Sequence, residues 1–179
     1  AKQVSLTELG SIKINKEERT KMYKTIPRSS VIGFLIGVLP GAGATIASFL
    51  AYGMERNVVN DEEKEKFGKG SVNGLSAPET ANNAACSGSF VPMLTLGIPG
   101  SGTTAVMLGA LLGFGVQPGP RLYMTNPEIF WSIIMSMYIG MVILLILNLP
   151  LIPYIARILA VPKNYLIPLI LFFSITGIY

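Results

Sequence analysis

The chain has 179 residues, of which 50% are hydrophobic and only 13% charged, and its mean hydropathy is +0.53. Soluble globular chains carry about 25% charged residues, so the deficit points to an integral membrane protein. There is no histidine and a single cysteine, Cys86, which excludes an intrachain disulfide, a Cys-rich metal site and most histidine-based catalysis or proton relay.

Residues 1–28 hold seven Lys/Arg and three Glu. A basic arm can serve a nucleic-acid partner, but this one abuts an apolar stretch. The positive-inside rule makes it a cytoplasmic juxtamembrane segment, with no nucleic acid involved. It contains no apolar core, so it is not a signal peptide. A short amphipathic helix is expected in its Lys/Glu-rich patch, 13–24. Residues 29–179 then form the transmembrane domain, interrupted by a charged segment at 55–69 that reads as a surface loop. The chain opens on Ala1 and closes inside an apolar run, Phe172 to Tyr179. It therefore reads as a piece of a longer membrane protein, truncated at both ends.

Ser29 to Met54 is the first apolar unit, and it contains Pro40-Gly41-Ala42-Gly43-Ala44-Thr45. Pro-Gly breaks a helix, because Pro lacks the N–H and Gly lacks conformational restraint. After the break Thr45, Ser48 and Tyr52 share one helical face. Such a face looks at protein or water, or its hydroxyls bond back to their own helix. Beyond the charged loop, Pro78 suits the first position of a helix and Glu79 suits its positive end. Glu79, Asn82, Cys86 and Ser89 then lie on one face, flanked by Asn83 and Ser87. Asn offers both a carbonyl acceptor and an amide donor. Asn82 and Asn83 thus fit two roles: groups lining a cavity, with a coupling cation such as sodium beside them, or hydrogen bonds between helices with no ligand.

Val91 to Gly115 is the second apolar unit, and Pro99-Gly100-Ser101-Gly102-Thr103-Thr104 repeats the first motif as apolar-Pro-Gly-x-Gly-x-Thr. Gln117-Pro118-Gly119-Pro120 ends it in a rigid turn. Ile129 to Leu149 is a clean apolar span, with Trp131 suited to a membrane interface and Pro150 and Pro153 expected to kink or end it. Leu151 to Val161 continues apolar with Arg157, and Leu166 to Tyr179 begins a further span. The expected fold is all-α: a multi-span helical bundle with broken or re-entrant helices in the membrane.

Catalytic readings fail. Gly41-Ala42-Gly43 lacks the third glycine of a dinucleotide fingerprint, and Gly68-Lys69 lacks the Walker-A ending. Ser101 has no base to activate it. Only Glu79 lies far enough into the apolar part to serve as a base, and a helix start stabilises its ionised form instead. The chain is not read as an enzyme.

The repeat supports a binding role. Two breaks at matching places in two apolar segments mark a transport site in membrane proteins. Helix starts after Pro40 and Pro99 would present unpaired N–H groups to an anion. Gly41, Gly43, Gly100 and Gly102 would admit close approach, and Thr45, Ser101, Thr103 and Thr104 would add hydroxyls. Carbonyls before each break would hold a coupling cation. The other reading makes both breaks packing kinks in a structural or scaffolding subunit with no ligand of its own.

Five segments carry a resemblance, in order: Ile32 to Thr45, Phe67-Gly-Lys-Gly, Ala77-Pro-Glu-Thr-Ala-Asn-Asn-Ala, Leu96 to Ala105 and Gln117-Pro-Gly-Pro. From about residue 26 to its end, the chain resembles the second half of the large membrane subunit of the tripartite tricarboxylate transporters. The resemblance implies one half of an inverted-repeat secondary transporter in the bacterial inner membrane. It implies symport of citrate or another small carboxylate with sodium or protons. It further implies two partners, a small membrane subunit and a periplasmic solute-binding protein. No organic cofactor is implied.

The basic arm generates a topology prediction. A Ser5→Cys variant should stay unlabelled when intact cells are treated with a membrane-impermeant thiol reagent, and should react once the membrane is opened. Labelling from outside would reverse the assignment.

Overall fold

The computed structural model describes residues 14–156 and 163–177. Every regular element among them is an α-helix: α1 Lys16–Val38, α2 Gly43–Val58, α3 Asp61–Lys64, α4 Val72–Gly88, α5 Phe90–Leu96, α6 Gly102–Gly113, α7 Leu122–Thr125, α8 Pro127–Ala156 and α9 Lys163–Thr176. The chain divides into two compact units, one of residues Ile14–Ile133 and one that includes the described residues from Ile134 onward.

The first unit is built on α1, α2 and α4. Helix α1 opens with a capping box, in which the Glu18 N–H donates to Asn15 Oδ1 and the Asn15 N–H to Glu18 Oε2, both at 2.8 Å. It then runs through Pro27 and past residue 28 without a break. The expected short helix at 13–24 and the apolar stretch after residue 28 are thus one element. Helix α1 stops at Val38, because a residue before proline avoids helical geometry.

Its buried residues are Thr25, Ser29, Gly33 and Gly37, each four positions after the last. Helix α4 buries Asn73, Ala77, Ala81 and Ala85 at the same spacing, and α2 buries Ala47, Ala51 and Glu55. Four-residue spacing keeps a stripe on one face, and small residues on that stripe let backbones meet. A Cβ added to Gly33 would sit 2.6 Å from Ala81 Cα, and one on Gly37 would sit 2.6 Å from Ala85 Cα. The Thr25–Asn73 contact has the same separation of 48 positions. So α1 and α4 run parallel in fixed register. Helix α2 runs antiparallel to both: Glu55 meets Thr25 and Asn73, while Ser48 donates to the Pro78 carbonyl at 3.1 Å.

Two expectations are corrected here. Pro78 is not at a helix start: α4 begins at Val72, where Ser71 Oγ accepts the Gly74 N–H, and Pro78 lies inside the helix. The charged 55–69 segment is not a free surface loop. Helix α2 continues to Val58 with Glu55 fully buried, and α3 follows, capped by Asn60. Phe67 packs edge-on against Tyr52 at 5.2 Å, and Lys21 pairs with Glu63 at 2.8 Å. This segment is folded back onto α1 and α2.

Helix α8 begins in the first unit and continues into the second. Its stretch Pro127–Ile152 has 26 residues, about 39 Å at 1.5 Å per residue, against a hydrocarbon core of about 30 Å. It is the one helix among the described residues long and apolar enough to cross a membrane. Pro150 and Pro153 do not end it, and the helix reaches Ala156. Trp131, stacked edge-on with Phe130, is exposed, as an interfacial anchor requires. Arg157 falls outside the described residues.

The seam between α1 and α4 is directly testable. Gly33→Ala drives a methyl into the Ala81 backbone, where overpacking costs about 1–3 kcal/mol or more. The purified intact protein should melt several degrees lower in detergent. Gly140→Ala, where a Cβ meets nothing within 4 Å, should leave the melt unchanged. Equal melting of the two variants would remove this packing as the basis of the bundle.

Candidate functional site

The C-terminal end of α4 packs against the end of α1 and against Gly100 of the second break. A Cβ on Gly88 would lie 2.6 Å from the Phe34 carbonyl oxygen and 3.2 Å from Gly37, so the end of α1 sits on it just before the first break. At Ser89 the chain passes into α5, which closes on the left-handed Gly97 with the Gly97 N–H on the Met93 carbonyl. The chain then returns over α4, and a Cβ on Gly100 would lie 2.9 Å from Ser89 Cβ. The Gln117–Pro120 turn is fastened to α5 by the Gly119 N–H on the Leu94 carbonyl, 3.2 Å.

The first tip is open. Gly41 and Gly43 have φ of 81° and 69°, the left-handed region that costs a residue with a side chain roughly 1–2 kcal/mol. A Cβ on either would meet nothing within 4 Å. The residue before α2 is Ala42, which makes no side-chain cap. The first N–H groups of α2 therefore carry no side-chain acceptor, and Thr45 lies exposed on that first turn.

The second tip is partly closed. Ser101 and Thr104 form a capping box: the Ser101 N–H donates to Thr104 Oγ1 at 2.8 Å, the Thr104 N–H to Ser101 Oγ at 3.3 Å. Thr104 Oγ1 donates back to the Ser101 carbonyl at 2.9 Å, and Thr104 is only 1% exposed. Ser101 and Thr104 thus satisfy α6, and Gly100 is a packing glycine buried on Ser89. Gly102 and Thr103 remain exposed on the first turn of α6, with open space around Gly102.

The two asparagines diverge. Asn82 Nδ2 donates to Ser48 Oγ of α2 at 3.4 Å, and Cys86 Sγ approaches Asn82 Oδ1 at 3.8 Å. Asn83 is exposed on another side of α4, in a groove of about 430 Å3 shared with Glu79, Thr80, Met22 and Glu18. They do not form one site together. Glu79, expected to be embedded, is exposed there.

The residues missed by reading the apolar units separately lie at the opposite end of the three helices. Glu55 Oε1 accepts from Thr25 Oγ1 at 2.8 Å, from Arg28 Nη2 at 2.7 Å and from Asn73 Nδ2 at 3.3 Å. Asn73 Nδ2 also donates to Thr25 Oγ1 at 2.8 Å. The four-residue stripes were the available signal, since Thr25, Glu55 and Asn73 each end one.

Comparison with known proteins gives the chain relatives. The family described as "Tripartite tricarboxylate transporter TctA family" matches residues 1–179. An uncharacterized 52.8 kDa protein in the TAR-I ttuC' 3' region of Agrobacterium vitis is 39% identical over 178 residues, covering 99% of this chain and 35% of that one. An uncharacterized protein in the TAR-II ttuC' 3' region of the same organism is 45% identical over 147 residues, 82% of this chain and 60% of that one. The chain thus spans about a third of the first relative and three-fifths of the second. No solved structure matches it.

Proposed function

The chain belongs to the tripartite tricarboxylate transporter TctA family, a family of transporter components rather than enzymes, and on that premise we propose that it is part of the membrane permease of a secondary carboxylate transporter. The substrate class is small di- and tricarboxylates such as citrate. Uptake is driven by a sodium or proton gradient, with the 179 residues as one half of an inverted repeat in the bacterial inner membrane. A periplasmic solute-binding protein hands over the substrate, and a small membrane subunit completes the assembly.

The carrying observation is that Gly37, three residues before the first break, and Gly100 of the second both pack on the end of α4, at Gly88 and Ser89, with the start of α2 free of any side-chain cap. A helix start carries roughly half a positive elementary charge and unpaired N–H groups. That combination suits a carboxylate without introducing a cationic side chain into the membrane. Gly41, Gly43 and Thr45 form the first half of the proposed binding surface. Gly102 and Thr103 form the second, with Asn82 beside α2. Gly100, Ser101 and Thr104 hold the second tip in shape.

A scaffolding subunit with no ligand is the second reading, and the closed box at Ser101 and Thr104 favours it. Uptake of labelled citrate by cells carrying the intact transporter separates the two at matched surface expression. A hydroxyl donating to a charged acceptor contributes about 1.5–3 kcal/mol, and ~1.4 kcal/mol is one decade of affinity. Thr45→Val and Gly102→Ala should each raise the half-saturating citrate concentration about tenfold or more, while Gly140→Ala should not. If Thr45→Val and Gly102→Ala transport normally and only Gly100→Ala fails, through poor expression, the breaks are packing kinks.

A further inference from the structure

The polar end of the bundle has an uneven hydrogen-bond pattern. Glu55 is fully buried, and three donors converge on its Oε1 while Oε2 has no partner. Asn73, 5% exposed, spends its amide nitrogen on Thr25 and Glu55 while its Oδ1 has none. Ser29, also fully buried, sits one turn beyond Thr25 with its Oγ unpaired. A buried acceptor without a donor costs about 1–3 kcal/mol. The three unpaired oxygens come one from each of α1, α2 and α4.

We propose that Ser29 Oγ, Glu55 Oε2 and Asn73 Oδ1 form a site for a hard monovalent cation, sodium, at the polar end of the α1–α2–α4 bundle. Oxygen-only donors suit a hard cation. The three donors all sit on Oε1, which leaves Oε2 as the oxygen of Glu55 open to an ion. Arg28 already balances the charge of Glu55 through a 2.7 Å ion pair. The site is formally neutral before the ion enters, which disfavours a divalent ion and makes binding weak enough to release. The fourth unpaired atom, Arg28 Nε, is a donor and so is no ligand to the ion. Binding would link all three helices. The site's existence is independent of the carboxylate reading; only its role as a coupling site rests on that reading.

The test is the thermal stability of the purified intact protein in detergent, titrated with sodium chloride against choline chloride at constant ionic strength. The wild type should be stabilised by sodium and not by choline. Ser29→Ala fits the buried position, so it should fold and melt normally in choline, yet need at least about tenfold more sodium for the same shift, as loss of groups supporting a metal site does. Glu55→Gln should lose the sodium response; if it does not fold, Ser29→Ala carries the test. Equal melting of wild type in the two salts overturns the site, as does an unaltered sodium response in Ser29→Ala. Citrate-induced stabilisation in choline that persists in Ser29→Ala would leave the carboxylate reading intact whatever sodium does.

Discussion

At Gly33 and Gly37 the backbone of α1 lies on the backbone of α4 at Ala81 and Ala85, with no room for a single methyl between them. Lipid tails are as apolar as leucine, so helices in a membrane gain little by hiding large apolar side chains from one another. Close contact has to come from small residues, and the seam of the bundle holds nothing larger than alanine over its middle turns. The largest fully buried apolar side chains, Met93 and Leu122, lie on α5 and α7 instead. With the seam this tight, the end of α4 is pressed against the end of α1, and Gly100 of the second break packs on Ser89 just beyond it.

The two ends of this bundle do opposite work. At the breaks, backbone groups are released from helices and one helix start is left open. At the other end, a carboxylate is buried and held by donors from α1 and α4. Arg28 is 38% exposed while Glu55 is fully buried, so removing Arg28 would strand a buried carboxylate, though water at the arginine softens the penalty of a wholly buried pair. An exposed pair such as Lys66–Glu62, by contrast, contributes about 0–1 kcal/mol. Rigidity at Glu55 and openness at Gly41 are thus separated by the length of α2.

Much of the fold was legible because the breaks and apolar runs have strong local chemistry. Pro40-Gly41 and Pro99-Gly100 both fall between helices, and the uncharged stretch after Glu128 reads as helix by length alone. Two errors arose where tertiary context overrode a local signal, and a third where a local capping box was overlooked. Pro78 looks like a helix start, but its carbonyl is taken by Ser48 and α4 runs through it. Glu55 looks like the first residue of a charged loop, but Arg28, Thr25 and Asn73 draw it inside. Thr104 looks like a free hydroxyl, but Ser101 sits three residues earlier and the two close on each other. None of these partners is adjacent in the apolar pattern that the sequence displays. The recurrence of buried residues every fourth position links only Thr25, Glu55 and Asn73.

That recurrence has a mechanical consequence. A stripe of small residues repeating every four positions looks nearly the same after a slide of four residues, about 6 Å along the axis. Gly33 would then face Ala77 or Ala85 in place of Ala81, again an alanine. Shape alone makes the seam a degenerate scale with several equivalent marks. The degeneracy ends at Thr25, Glu55 and Asn73, since a slide of one turn carries the Asn73 amide off both of its partners and unpairs a buried carboxylate. The polar end is therefore the index mark of the bundle: it sets which of several similar alignments of small residues the helices keep, and with it the height at which the end of α1 meets the end of α4.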